Sequence, residues 1–69
     1  MNREKVESSN IESIGYDSAN ETLEIAFLNG SIYQYFDVPQ SIYEEIMSAD
    51  SHGKYLAYQI KGKYRYSKV

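Results

Sequence analysis

The pair Asn29-Gly30 sits between two alternating runs, Leu23 to Phe27 and Ile32 to Phe36, and constrains this chain more than any other feature. Both residue types tolerate positive φ, which a two-residue type I′ turn requires at each of its positions. The spacing predicts a β-hairpin over Leu23 to Phe36. Its register sets Leu28 opposite Ser31, Phe27 opposite Ile32, Ala26 opposite Tyr33, Glu24 opposite Tyr35 and Leu23 opposite Phe36. Leu23, Ile25, Phe27, Ile32 and Phe36 then share a core face, with Gln34 as its only polar member. Glu24, Ala26, Tyr33 and Tyr35 fall on the other face.

The rest of the chain is read around that hairpin. Met1 to Glu7 is polar and charged and is expected as a flexible tail (1–7) ahead of a single domain (8–69). Ile11, Ile14 and Tyr16 mark a first strand, closed by the turn-rich Asp17-Ser18-Ala19-Asn20. Pro39 suits the start of a helix, and Ser41 with Glu44 offers a capping box two residues later. Ile42, Tyr43, Ile46, Met47 and Ala49 follow at helical spacing. Asp50 or Ser51 caps a second, shorter helix that turns Leu56 and Ile60 inward and ends at Gly62. Lys63-Tyr64-Arg65-Tyr66 alternates at period two and is expected as a short C-terminal fourth strand. The fold class is α+β: an antiparallel three-stranded β-meander, then two helices packed on the Leu23/Ile25/Phe27 face.

Composition excludes several chemistries. The 69 residues make one small domain, whose core leaves little room for a deep, dry cavity. With no cysteine there are no disulfides, thiolate nucleophiles or Cys-rich zinc sites, and the chain fits a reducing cytoplasm. No apolar run reads as a signal peptide or a membrane span. The lone histidine, His52, lies in a capping segment rather than beside a nucleophile and an orienting carboxylate. Glu44 and Glu45 diverge by about 100° on a helix and make a poor acid–base pair. Gly53 and Gly62 are isolated and form no phosphate-cradling loop. The chain is expected to be no enzyme and to need neither cofactor nor metal.

Binding constellations are better represented. Tyr33 and Tyr35 are two residues apart on one strand, so their rings point the same way about 7 Å apart, a platform on which unpaired bases stack. The competing reading is that both rings are structural, since tyrosine favours strands. Residues 1–50 hold all ten acidic side chains against Arg3 and Lys5, a balance of −8. Residues 51–69 hold Lys54, Lys61, Lys63, Arg65 and Lys68 with no acid, a balance of +5. Tyr55, Tyr58, Tyr64 and Tyr66 interleave with these cations, as expected of a surface that follows a phosphate backbone while stacking bases. The same cations would also keep an edge strand soluble and unpaired.

The ordered series Ser8-Ser9-Asn10-Ile11, Gly15-Tyr16-Asp17, Thr22-Leu23-Glu24-Ile25, Asn29-Gly30-Ser31, Tyr33-Gln34-Tyr35, Val38-Pro39, Ser51-His52-Gly53 and Tyr64-Arg65-Tyr66 resembles the KTSC domain. That family is named for an appendage at the C-terminus of some lysyl-tRNA synthetases and also occurs as free-standing bacterial and phage proteins. Its Tyr-x-Tyr mark falls on Tyr33 and Tyr35. The resemblance implies, through the synthetase fusion, RNA as a ligand. The expected partner is RNA or another single-stranded nucleic acid, bound by Tyr33, Tyr35, Lys54, Lys61, Lys63, Arg65 and Lys68. The alternative is a protein partner anchored by the same tyrosines. No membrane partner is expected, and the chain is read as a monomer or weak dimer.

Overall fold

A computed structural model describes all 69 residues. Five strands form one antiparallel meander in chain order: β1 (Arg3–Lys5), β2 (Ile11–Asp17), β3 (Thr22–Phe27), β4 (Ile32–Tyr35) and β5 (Tyr66–Lys68). Between β4 and β5 lie α1 (Gln40–Ser48) and α2 (His52–Tyr55), and α2 runs on into a π-turn over Leu56–Ile60. The sheet is larger than the three strands and short fourth expected. Arg3–Lys5, within the presumed tail, pairs with β2 as an edge strand. The C-terminal strand begins at Tyr66 rather than Lys63, because Lys61 to Tyr64 form the turn that returns the chain to β4.

The hairpin is present, but its register differs by one residue. Leu23 faces Tyr35, Glu24 faces Gln34, Ile25 faces Tyr33 and Ala26 faces Ile32. Phe27 N–H donates to Ser31 O at 2.8 Å, so the loop is the three-residue Leu28-Asn29-Gly30. Gly30 alone has positive φ, at 93°, whereas a type I′ turn needs it at Asn29 too. The loop is therefore a turn closed by a left-handed glycine, the other hairpin connection that Asn-Gly permits. A one-residue slip carries every side chain of β4 to the opposite face. Tyr33 and Tyr35 join Leu23 and Ile25 on the helix side, and Ile32 and Gln34 point outward with Ala26 and Glu24.

The core forms where the helices cover that face. Ile11, Ile14, Leu23, Ile25, Tyr35, Val38, Ile46, Leu56 and Ile60 make one buried cluster. Ile11 and Ile14 have opposite parity in a regular strand, and an irregularity between Ile11 and Ser13 lets both point inward. Pro39 precedes the first turn of α1 with no side-chain cap, so the Ser41–Glu44 box does not form. Ser51 does cap α2, accepting from the Lys54 backbone N–H at 3.2 Å. Tyr16 stacks on Tyr43 at 5.1 Å and donates its hydroxyl proton to Val38 O, tying β2 to the entry of α1.

Candidate nucleic-acid interface

The register shift builds the site. With Tyr33 and Tyr35 on the helix side, β5 brings Tyr66 opposite Tyr35 and Lys68 opposite Tyr33. The rings form a ladder: Phe27 meets Tyr33 edge-on at 5.8 Å, Tyr33 lies 5.8 Å from Tyr66, and Tyr66 lies 5.9 Å from Tyr35. Such spacings are those of favourable aromatic pairs. The helices cover the middle of the sheet but not this end, so the ladder floors an open groove of about 840 Å³.

Ser9, Asn10, Asn29 and Ser31 supply the polar rim of that groove, and Leu28 adds an apolar lip. Lys61 and Gly62 close the far side. The π-turn sets them there, its last bond running from the Lys61 N–H to Leu56 O at 2.9 Å. A second, shallower hollow of about 600 Å³ shares Gly62 and Tyr66 with the first and adds Phe36, Lys63, Tyr64 and Arg65. No carboxylate lines either hollow, although the chain carries a net charge of −3.

The residues expected to bind are placed unequally. Tyr35 is 3% exposed and belongs to the core, so it offers no free ring face. Its burial, with smaller effects from Tyr33 and Tyr66, pushes its phenol above the ordinary range. Tyr33 is half-buried and lines the groove through one edge of the ladder. Both tyrosines thus lie on the core face rather than on the opposite, open face. Lys61 lines the groove, Lys68 stands beside it on β5, and Lys63 lines the second hollow. Arg65 lines the second hollow but is engaged, pairing with Asp37 at 2.8 Å and lying over the Phe36 ring. Lys54 sits on α2 and lines neither hollow.

Tyr66 is 62% exposed and stands between the two hollows, the most available ring of the ladder. It belongs to the basic, tyrosine-rich tail expected to follow a phosphate backbone, although it is not among the individual residues expected to bind; Phe27, Asn10, Asn29 and Ser31 lie outside both expectations. The available signal was Gln34: an amide on the supposed core face, where a buried group needs a partner. Correcting that conflict moves Tyr33 and Tyr35 to the side where β5 presents Tyr66.

His52 is half-buried, with Nδ1 2.7 Å from Ile46 O, and so joins the end of α1 to α2. No group of three or more His, Cys, Asp or Glu side chains could hold a metal ion. No helix is long and apolar enough to cross a membrane.

Residues 7–64 match the family model of the KTSC domain. A lysine–tRNA ligase of Trichormus variabilis is 42% identical over 65 residues, which are 94% of this chain but 12% of the ligase. The chain thus spans only a small part of that relative. A protein of Tsukamurella paurometabola is 37% identical over 60 residues, covering 87% of this chain and 90% of its own length. The crystal structure of a KTSC domain protein from Yersinia pestis superposes with a TM-score of 0.93 at 45% identity, covering 99% of this chain and 96% of that one.

Proposed function

The chain belongs to the KTSC domain family, and we propose that it is a non-catalytic module that binds single-stranded RNA around Tyr66. The observation that carries this reading is the pair of hollows flanking an exposed tyrosine, lined by Lys61 and Lys63 and by no carboxylate, with Lys68 opposite Tyr33 on the adjoining strand. One unpaired base stacks on Tyr66 in the larger groove, and the backbone passes Gly62 toward Lys63. A duplex presents no free base face to such a site. The matched lysine–tRNA ligases lend support, because their names tie relatives of this domain to a tRNA.

Fluorescence anisotropy with a labelled single-stranded RNA at low salt tests the reading. Base–aromatic stacking is worth about 1–3 kcal/mol per base, so Tyr66→Ala is expected to weaken binding about tenfold or more. Three phosphate contacts give a slope of log affinity on log salt of about −2. An absence of binding at low salt, or a Tyr66→Ala variant that binds like the parent, removes the proposal.

A protein partner is the second reading, favoured by Leu28, which is 59% exposed at the lip of the groove. Capture from nuclease-treated lysate that is lost on Leu28→Ser, with no RNA bound by the isolated chain, would select it instead.

A further inference from the structure

We infer that the groove reads the base it holds, preferring keto bases (uracil and guanine) over amino bases (cytosine and adenine), an inference that rests on the RNA-binding reading above. The two asparagines on its rim have fixed amide orientations. Asn29 Oδ1 accepts the Ser31 backbone N–H at 2.9 Å, an Asx turn that only the oxygen can make. Ser8 Oγ receives the backbone N–H groups of Asn10 and Ile11 at 3.3 and 3.2 Å. Its own proton therefore goes to Asn10 Oδ1, 3.0 Å away. Asn29 Oδ1 is committed to the Ser31 backbone and Asn10 Oδ1 to the Ser8 hydroxyl, and both NH₂ groups are left without a protein acceptor.

Lys61 is likewise a donor only, and Ser9 and Ser31 add hydroxyls that serve either role. The rim is therefore rich in donors and has no carboxylate to accept from an amino group. Uracil O4 and guanine O6 accept from such a rim, whereas the exocyclic amino groups that replace them in cytosine and adenine meet like donors; N7 is common to both purines and does not discriminate. Asparagine commonly pairs with adenine through both ends of its amide, and here the accepting end is committed elsewhere.

The test compares oligouridine with oligocytidine of equal length, whose bases differ at position 4 (keto or amino) and at the adjacent N3 (N–H or lone pair). Fluorescence anisotropy is expected to show oligouridine bound about tenfold more tightly, the scale of one to two net hydrogen bonds. Asn29→Asp keeps an oxygen for the Ser31 N–H and replaces the outward NH₂ by an acceptor, so the turn survives while the preference collapses or reverses. Asn10→Asp does the same at the other rim position, and circular dichroism verifies that both variants fold. Equal binding of the two oligonucleotides, or a ratio unchanged in both variants, overturns the base-reading inference and leaves RNA binding standing. Binding of neither oligonucleotide overturns both.

Discussion

Gly15 is the residue on which the outer face of the sheet depends. Arg3, Gly15, Glu24, Gln34 and Ser67 stand opposite one another across all five strands. Because Gly15 has no side chain, Arg3 crosses over it to pair with Glu24, and Gln34 Nε2 donates to the other Glu24 oxygen at 2.8 Å. Glu24 is only 8% exposed, so it needs both partners. A Cβ on Gly15 would lie 2.7 Å from Asn2 O and 3.0 Å from Arg3 Cγ. Gly15→Ala is therefore expected to displace β1 and cost about 1–3 kcal/mol, chiefly by stripping the buried carboxylate of its arginine. Urea denaturation measures the loss. Combining the change with Arg3→Ala should add much less than the sum, because both remove the same contact.

At the level of elements, packing against the helices, rather than the length of the hairpin loop, sets which face every β4 side chain occupies. Deleting Leu28 joins Phe27 directly to Asn29-Gly30-Ser31, a two-residue loop that keeps Phe27 opposite Ser31 and all pairs beyond. The deleted residue's N–H donates to Asn10 O at 2.9 Å, so the variant is expected to fold in the same register with a loss of about 1 kcal/mol. Cross-strand NMR contacts between Ile25 and Tyr33 check the register, and a contact between Ala26 and Tyr33 instead would refute it.

For the whole molecule, stability has an acid limb and an alkaline limb. Burial by itself would raise the Glu24 carboxyl, but hydrogen bonds from Gln34 and Arg3 and the Arg3 charge outweigh it and hold the group below its ordinary value. Asp17 is lowered as well, first by the Asn20 side chain. A carboxylate depressed on folding contributes fully above its unfolded value, and that contribution is lost as pH falls through the folded one. Thermal stability is expected to decline below the ordinary carboxylate range, and Glu24→Gln should flatten the decline. Tyr55 behaves oppositely: burial, then its bond to Glu45, pushes the phenol up to about 12. Its contribution is complete below the ordinary tyrosine value of 10.0 and is lost as pH rises from there to about 12. Tyr55→Phe should soften the alkaline limb, as followed by melting temperature against pH.

The chain by itself determined what depends on local chemistry. Alternation marked β3 and β4, Asn29-Gly30 located their turn, helical spacing turned Ile46, Leu56 and Ile60 inward, and Ser51 capped α2. The KTSC resemblance was legible in the ordered motifs along most of the chain. Only the tertiary structure decided the register and, with it, the candidate site. Asn-Gly is compatible with loops of two or three residues, and the choice falls to long-range packing. The two-residue loop would strand Gln34 among Ile25 and the helices, where an unpaired amide costs about 1–3 kcal/mol. The three-residue loop buries Tyr35, sends Gln34 to Glu24, and leaves Leu28 in solvent. Charge placement followed the same rule: a basic third of the chain was visible from composition, but its five cations did not converge. Lys61, Lys63 and Lys68 gather around Tyr66, while Asp37 holds Arg65 and α2 carries Lys54 away. Neighbours in space, unlike neighbours in sequence, are set by which faces the packed sheet and helices bury.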